Sequence, residues 1–158
     1  MAPLRTFIAL AGLVAGAGCA HIQPLTLDEP IGPLNSQGSE PDRGSLVVYS
    51  DTEANPDDPE YSSHSSYTLY TADGKLVRKV DNRSSSFGMS AVTLALAAGQ
   101  YKVVARALDY GLVTAPVIVQ EGRTTVVDLN QEVLPQSRTA RGNWVRLPNG
   151  TIVGSRSE

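Results

Sequence analysis

The chain has a single cysteine, Cys19, in a sequence of 158 residues. A disulfide within the chain would need a second cysteine, so oxidation could produce only an intermolecular bridge. A metal site would need clustered histidine or cysteine ligands, and His21 alone is too few. A catalytic thiolate needs a base positioned in a folded pocket, whereas Cys19 lies between an apolar run and a proline-rich stretch. None of these chemistries fits its setting.

The residues before Cys19 are typical of an export signal. Arg5 is followed by an uncharged apolar run, residues 6–18, which ends in small residues and is shorter than the roughly 20 residues of a bilayer span. The arrangement Gly16-Ala17-Gly18-Cys19 resembles the lipobox of bacterial lipoproteins. This resemblance implies cleavage between Gly18 and Cys19 and acylation of the cysteine sulfur. The alternative is a cysteine lying by chance in a cleavable signal.

The resemblance also implies a location and a partner. A lipidated Cys19 would hold the protein on a membrane of the bacterial cell envelope. Ala20 stands where inner-membrane lipoproteins of enteric bacteria often carry Asp, so the expected membrane is the outer one.

A histidine among serines is the next group that could support chemistry. His64 is flanked by Ser62, Ser63, Ser65 and Ser66, which together supply the hydroxyl and imidazole of a serine hydrolase. However, neighbours in sequence do not form a triad, and the chain has no Gly-x-Ser-x-Gly motif. We therefore expect His64 to be a solvated loop residue.

Acidic residues at alternate positions between residues 51 and 60 suggest a calcium loop. Asp51, Glu53, Asn55 and Asp57 have the spacing of oxygen ligands. The turn glycine of such loops is missing, and Pro56 stands at the sixth position. The sequence therefore favours an ordinary solvated loop, and we predict neither a metal nor a cofactor.

The charge distribution argues against nucleic acid as a partner. The net charge is -3. The basic residues form no run longer than the pair Arg78-Lys79, and others such as Arg83, Lys102, Arg106 and Arg123 are isolated. No patch is expected that could bind a phosphate backbone.

Short segments of alternating apolar and polar residues predict an all-β fold. Seven predicted strands lie near residues 45–50, 66–71, 75–80, 91–97, 100–108, 112–119 and 124–130. Turn signals separate them, such as Ala72-Asp73-Gly74 and Glu121-Gly122-Arg123. The pattern is typical of an antiparallel β-sandwich or barrel.

The second half of this region resembles the carboxypeptidase regulatory-like domains. The matching residues are Leu96-Ala97-Ala98-Gly99-Gln100-Tyr101 with the strand after them, then Tyr110-Gly111, the strand and turn ending at Gly122, and Val126-Val127-Asp128-Leu129. The resemblance implies a seven-stranded, transthyretin-like sandwich over residues 45–132. Because the motif is structural, it implies little about activity.

Enzymes that share this sandwich carry residues that the chain lacks. Transthyretin-like hydrolases end in Tyr-Arg-Gly-Ser, whereas this chain ends in Gly154-Ser155-Arg156-Ser157-Glu158. Intradiol dioxygenases bind iron through two histidines and two tyrosines, but the two histidines here, His21 and His64, lie in the predicted tether and in a serine-rich loop. The resemblance therefore favours a non-enzymatic domain.

The segment before the sandwich is predicted to be a tether. Residues 19–44 contain four prolines and no sustained apolar period, so we expect a flexible linker after the signal peptide at residues 1–18. Ile22, Leu25, Leu27 and Ile31 leave open that part of it packs on the domain.

A linker and a hairpin are predicted over residues 133–158. Pro148-Asn149-Gly150 between two apolar-polar segments is a hairpin signal. The single tryptophan, Trp144, could bury itself on the same domain, since lone hairpins are marginal in water. Alternatively, Trp144 with Arg141 and Arg146 could anchor a partner.

Two functions from different classes remain open besides an enzyme of unknown type. The leading hypothesis is a non-enzymatic lipoprotein that displays its β-sandwich for protein binding or scaffolding in the envelope. The alternative is a carbohydrate-binding module that stacks sugars on exposed rings. The available rings are Tyr49, Tyr61, Tyr67, Tyr70 and Trp144.

Overall fold

The computed structural model describes residues 24–37, 42–55, 58–83, 90–136 and 141–157. These residues form strands and turns and no helix, so the predicted all-β class is confirmed. Within them, no helix is long and apolar enough to cross a membrane. The predicted signal peptide, Gly18 and Cys19 lie outside the described residues.

Thirteen strands are present in the described part of the chain. They are β1 (Leu25–Thr26), β2 (Ile31–Gln37), β3 (Gly44–Tyr49), β4 (Thr52–Asn55), β5 (Asp58–His64), β6 (Tyr67–Thr71), β7 (Leu76–Val80), β8 (Thr93–Leu96), β9 (Gly99–Ala107), β10 (Gly111–Val119), β11 (Arg123–Asp128), β12 (Trp144–Arg146) and β13 (Ile152–Arg156).

Most strands belong to one mixed sheet. Its main path runs β7-β6-β9-β10-β2-β11-β3-β8, with β1 beside β10 and the β12–β13 pair beside β2. The seven predicted segments overlap β3 and β6 to β11, four of which begin one residue earlier than predicted. The prediction of a wholly antiparallel sheet is wrong, because β1–β10, β2–β10 and β3–β11 are parallel pairs.

Strand β2 lies within the segment that was predicted to be a tether, and it contradicts that prediction over part of the segment. Ile31 pairs with Val117 of β10 and Arg156 of β13, while Pro33 pairs with Thr125 of β11. Because proline has no N–H, it cannot extend a continuous ladder, and it lies where β2 changes neighbours. The expectation of a flexible linker is therefore wrong for residues 25–26 and 31–37, which are strands of the sheet.

The sheet curls around one apolar core. Strand β10 contacts β11 and β3 across the interior as well as its own ladder neighbours. Leu27 and Ile31 are buried in this core, so the apolar residues of the predicted tether pack on the domain. The largest fully buried aliphatic side chains are Ile31, Leu46, Leu69, Leu129 and Ile152.

The C-terminal hairpin docks on its own domain. β12 and β13 pair antiparallel, and β13 pairs in turn with β2. Val145, Leu147 and Val153 join the apolar core. The hairpin is therefore part of the same fold and not an appended unit.

The acidic segment is a hairpin where a loop was expected. Strands β4 and β5 pair from Thr52↔His64 to Asn55↔Asp58. At its base, the N–H of Ser65 donates to the carbonyl of Asp51, whose own N–H donates to the carbonyl of Arg106 on β9. This base holds the end of β5 against the main sheet, which the spacing of acidic residues did not indicate.

Replacement of Ile31 by alanine tests whether β2 is structural. Ile31 is fully buried, at 0% exposure, so Ile31→Ala should lower the free energy of unfolding by about 2–5 kcal/mol in a urea titration. Leu76→Ala is the control, because Leu76 is 58% exposed and the change should stay within about 0.5 kcal/mol. Equal, small effects of the two changes would contradict the placement of β2 in the core.

Candidate functional site

His64 is buried, contrary to the sequence-based expectation. Its side chain lies at the end of β5 with 1% exposure. Nδ1 is 2.7 Å from the carbonyl oxygen of Ser50, and Nε2 is 3.6 Å from Oε2 of Glu132. The ring also makes an edge-to-face contact with Tyr49, with centroids 5.6 Å apart. The β4–β5 pairing removes His64 from water and places it beside β3.

The contacts of His64 indicate which protons it carries. A carbonyl oxygen can only accept, so Nδ1 bears hydrogen and donates to Ser50. Nε2 lies 3.6 Å from the Glu132 carboxylate, which is longer than a hydrogen bond. The imidazole thus lies between the end of β3 and the loop that carries Glu132.

The hydroxyl of Ser50 forms hydrogen bonds with residues other than His64. Its Oγ donates to the carbonyl of Ser65 at 2.6 Å and accepts from Nδ2 of Asn82 at 3.0 Å. Ser50 therefore meets His64 through its backbone, whereas a serine nucleophile would present its hydroxyl to the imidazole. The serine and histidine of this cluster form structural hydrogen bonds.

Asn82 extends the same network to β8. Its Nδ2 also donates to the carbonyl of Val48 at 2.8 Å, and its Oδ1 accepts from the N–H of Val92 at 2.9 Å. With 0% exposure, this side chain replaces ladder hydrogen bonds where β3 runs beyond β8. It thereby satisfies buried backbone groups that would otherwise be costly.

Asp128 positions the loop that faces His64. Its buried carboxylate accepts the N–H groups of Glu132, Val133 and Leu134 at 2.8–3.0 Å. Burial, followed by the negative charges of Glu132 and Asp128, raises the pKa of Tyr49. Sequence reasoning missed this cluster because His64 and Glu132 are brought together by tertiary pairing, and no local motif signals it.

The three predicted partner-binding residues lie together on the C-terminal hairpin, which we call the hairpin surface (Arg141, Trp144 and Arg146). Val145 faces the core, so its neighbours Trp144 and Arg146 lie on the opposite face of β12, where both are half-buried. The indole Nε1 donates to the carbonyl of Arg141 at 3.2 Å, and Nη1 of Arg146 donates to that of Gly150 at 2.7 Å. Val145, and not the tryptophan, anchors β12 in the core.

A cleft of about 350 Å³ adjoins the hairpin surface. One wall is formed by residues 25–29, and the other by residues 145–148, including Arg146. Asp28 and Glu29 lie on the wall facing Arg146, and Glu29 forms an ion pair with Arg156. The walls of the cleft thus combine apolar side chains with charges of both signs, which suits a polypeptide better than a uniformly charged ligand.

The aromatic rings do not form one platform for sugars. Tyr67 is 1% exposed, and Tyr49 packs on His64. Tyr70 lies on β6, which is separated from the Trp144 strand by β9, β10, β2 and β13. The side chain of Tyr61 is outside the described set. Tyr49, Tyr67 and Tyr70 therefore form no shared platform with Trp144.

Within the described ranges, no group of three or more His, Cys, Asp or Glu residues could hold a metal ion. Comparison of the chain with protein-family models, with curated proteins and with solved structures finds no match.

Gly142 controls the position of the tryptophan. Its φ is 144°, and a Cβ atom there would lie 2.5 Å from Nε1 of Trp144. Gly142→Ala should push the indole off the backbone and shift the fluorescence emission to longer wavelength, because the ring becomes more hydrated. Since Trp144 is the single tryptophan, the signal is unambiguous. Gly74→Ala is the control: its φ is 90°, but no atom lies within 4 Å of the added Cβ, so the emission should not move.

The hydroxyl of Tyr67 has no hydrogen-bond partner among the described residues and is buried. Tyr67→Phe removes this unsatisfied group and should raise the free energy of unfolding at neutral pH by about 1 kcal/mol.

Burial raises the pKa of Tyr67 from 10.0 to about 12, and the positive charge of Arg78 opposes this rise. The unfolded state therefore ionises first, and this residue should cost stability as the pH rises from 10 to 12, by about 1.4 kcal/mol per pH unit.

Urea titrations of both proteins across this pH range measure the effect. The difference between wild type and Tyr67→Phe isolates this residue from the other tyrosines and the lysines. A difference that does not change with pH would mean that the phenol is hydrated in the folded state.

Proposed function

We propose that this protein is a non-enzymatic lipoprotein of the bacterial cell envelope, anchored through Cys19, whose β domain binds or scaffolds another protein. The observation that carries the proposal is the apolar run ending in Gly16-Ala17-Gly18-Cys19, directly before a folded domain. An acylated cysteine in this position would tether that domain to a membrane surface and display it there. The outer membrane is the proposed location, on the basis of Ala20.

The start of the sheet at Leu25 limits the distance between an anchored Cys19 and the folded domain. The six chain steps from Cys19 to Leu25 span at most about 20 Å when fully extended. An acylated Cys19 would therefore hold the domain close to the headgroups, whereas a linker reaching residue 44 would have allowed a much larger distance. Residues 24–29 would be the part of the domain nearest the membrane along the chain.

The hairpin surface supports protein binding. Arg146 lines the cleft together with residues 25–29, so a partner located near the membrane would meet Arg146, and Trp144 lies two positions before it on the same strand. Tryptophan and arginine are among the residues most enriched at the energetic centres of protein interfaces. A second observation supports a non-enzymatic domain: the Ser50 hydroxyl bonds to Ser65 and Asn82, and His64 Nδ1 bonds to the Ser50 carbonyl, so the hydroxyl and the imidazole do not bond to each other.

We also propose that β3 and β6 to β11 form a carboxypeptidase regulatory-like, transthyretin-like sandwich. The support is the position of the motif residues. Tyr101 lies near the start of β9, and Tyr110-Gly111 forms the turn that leads into β10. Strands β1, β2, β4, β5, β12 and β13 would then be additions to the seven-stranded unit.

The proposal is tested on protein isolated from its native membrane. Its intact mass should match a chain that begins at Cys19 with added acyl groups, and Cys19→Ser should lose both the added mass and the partition into detergent. A photo-crosslinking residue placed at position 144 should capture an envelope protein, whereas the same residue at position 112 should not.

Position 112 is a matched control, because Leu112 is 46% exposed and lies on β10. An unacylated wild-type chain would refute the anchor. Equal crosslinking from both positions, or from neither, would refute the hairpin surface as the binding site.

A further inference from the structure

The two end strands of the sheet differ in whether they are protected against pairing with another chain. In the described structure, β7 pairs only with β6 and β8 only with β3. Lys75 lies directly before β7, Arg78 and Lys79 lie within it, and its pairing with β6 contains a register shift. Charges and bulges are the devices that protect sheet edges.

Strand β8 has neither device. Residues 84–101 contain no Asp, Glu, Lys, Arg or His. The β3–β8 ladder runs from Gly44↔Leu96 to Val47↔Thr93 without a register shift. Thr93 is exposed and Ala95 is half-buried. An uncharged, regular edge of this kind is a template for one more strand.

The hydrogen bonds of β3 show which backbone groups of β8 point outward. The carbonyls of Arg43 and Tyr49 accept from the residues on either side of β11, so the odd-numbered residues of β3 face β11. The even-numbered residues face β8, in agreement with the carbonyl of Val48, which accepts from Asn82. Leu94 and Leu96, which are opposite Leu46 and Gly44, therefore bond to β3.

It follows that the N–H and C=O groups of Thr93 and Ala95 point away from the sheet, because successive residues of a strand alternate in direction. They give β8 four outward backbone groups in the order that an antiparallel partner requires. Leu94, between them, turns its side chain into the core.

We infer that β8 pairs antiparallel with β8 of a second copy of this chain, about a two-fold axis at Leu94. In this register, Thr93 lies opposite the partner's Ala95, and Ala95 lies opposite the partner's Thr93. Each pair forms two N–H···O bonds, and Leu94 lies opposite the partner's Leu94. The two sheets then become continuous across the axis.

Charge favours β8 over β7 as the edge that can pair with the same strand of a second copy. Self-pairing of β7 would bring Arg78 and Lys79 close to their own counterparts, and like charges directly opposite are destabilising. In the β8 pair, no charged residue is present between positions 84 and 101 of either copy. The inference does not depend on the lipid anchor, since the edge is a property of the sheet alone.

Native mass spectrometry of the full chain tests the inference. The probes are variants that introduce charged residues on β8. The wild type should show a dimer whose fraction rises with protein concentration. The double variant Thr93→Lys with Ala95→Lys puts lysine opposite lysine in both pairs, and it should raise the dimer dissociation constant about tenfold or more. Thr93→Glu with Ala95→Glu should do the same.

Mixing the lysine and glutamate variants should restore association as a heterodimer, which a folding defect in either variant could not do. Leu76→Lys with Val77→Lys adds the same charge at the opposite edge and should leave the dimer intact. A wild type that stays monomeric at all concentrations, a dimer unaffected by the β8 variants, or a mixture that fails to associate would each overturn the inference.

Discussion

The close approach of Ile31 to Gly154 is the constraint on which both halves of the sheet depend. A Cβ atom at position 154 would overlap the side chain of Ile31, so the fit requires a residue without a side chain there. This contact lets β2 lie against β13 while its inner face joins the core. Since β2 also pairs with β10 and β11, one buried isoleucine holds together elements from both ends of the described chain.

The strands between Gly44 and Asp128 could largely be predicted because their signals are local. Alternation of apolar residues and turn pairs such as Asp73-Gly74 indicate strands without any knowledge of their neighbours. Strand β2 has no such signal, since its glycine and proline resemble a linker. It becomes a strand through parallel pairing with Val117 and burial of Ile31, which are non-local effects.

In the candidate site, too, the features with local signals could be predicted and those that depend on distant residues could not. The grouping of Arg141, Trp144 and Arg146 follows from their short spacing on one hairpin, and the sequence could predict it. The burial of His64 could not be predicted, because it depends on pairing with Thr52 and on a loop held by Asp128. The serines beside His64 predicted a solvent-exposed loop, yet Ser50, His64 and Ser65 are all buried.

The pairing of β2 with β13 also governs when the domain can fold. Glu29 and Arg156, which form an ion pair beside this ladder, are 127 positions apart in sequence. Contacts of such long range form late and slow the folding of a domain. During synthesis, the β2–β13 ladder cannot form until β13 has left the ribosome. The sheet is thus completed from strands at opposite ends of the described chain, and its closing step follows the synthesis of the last of them.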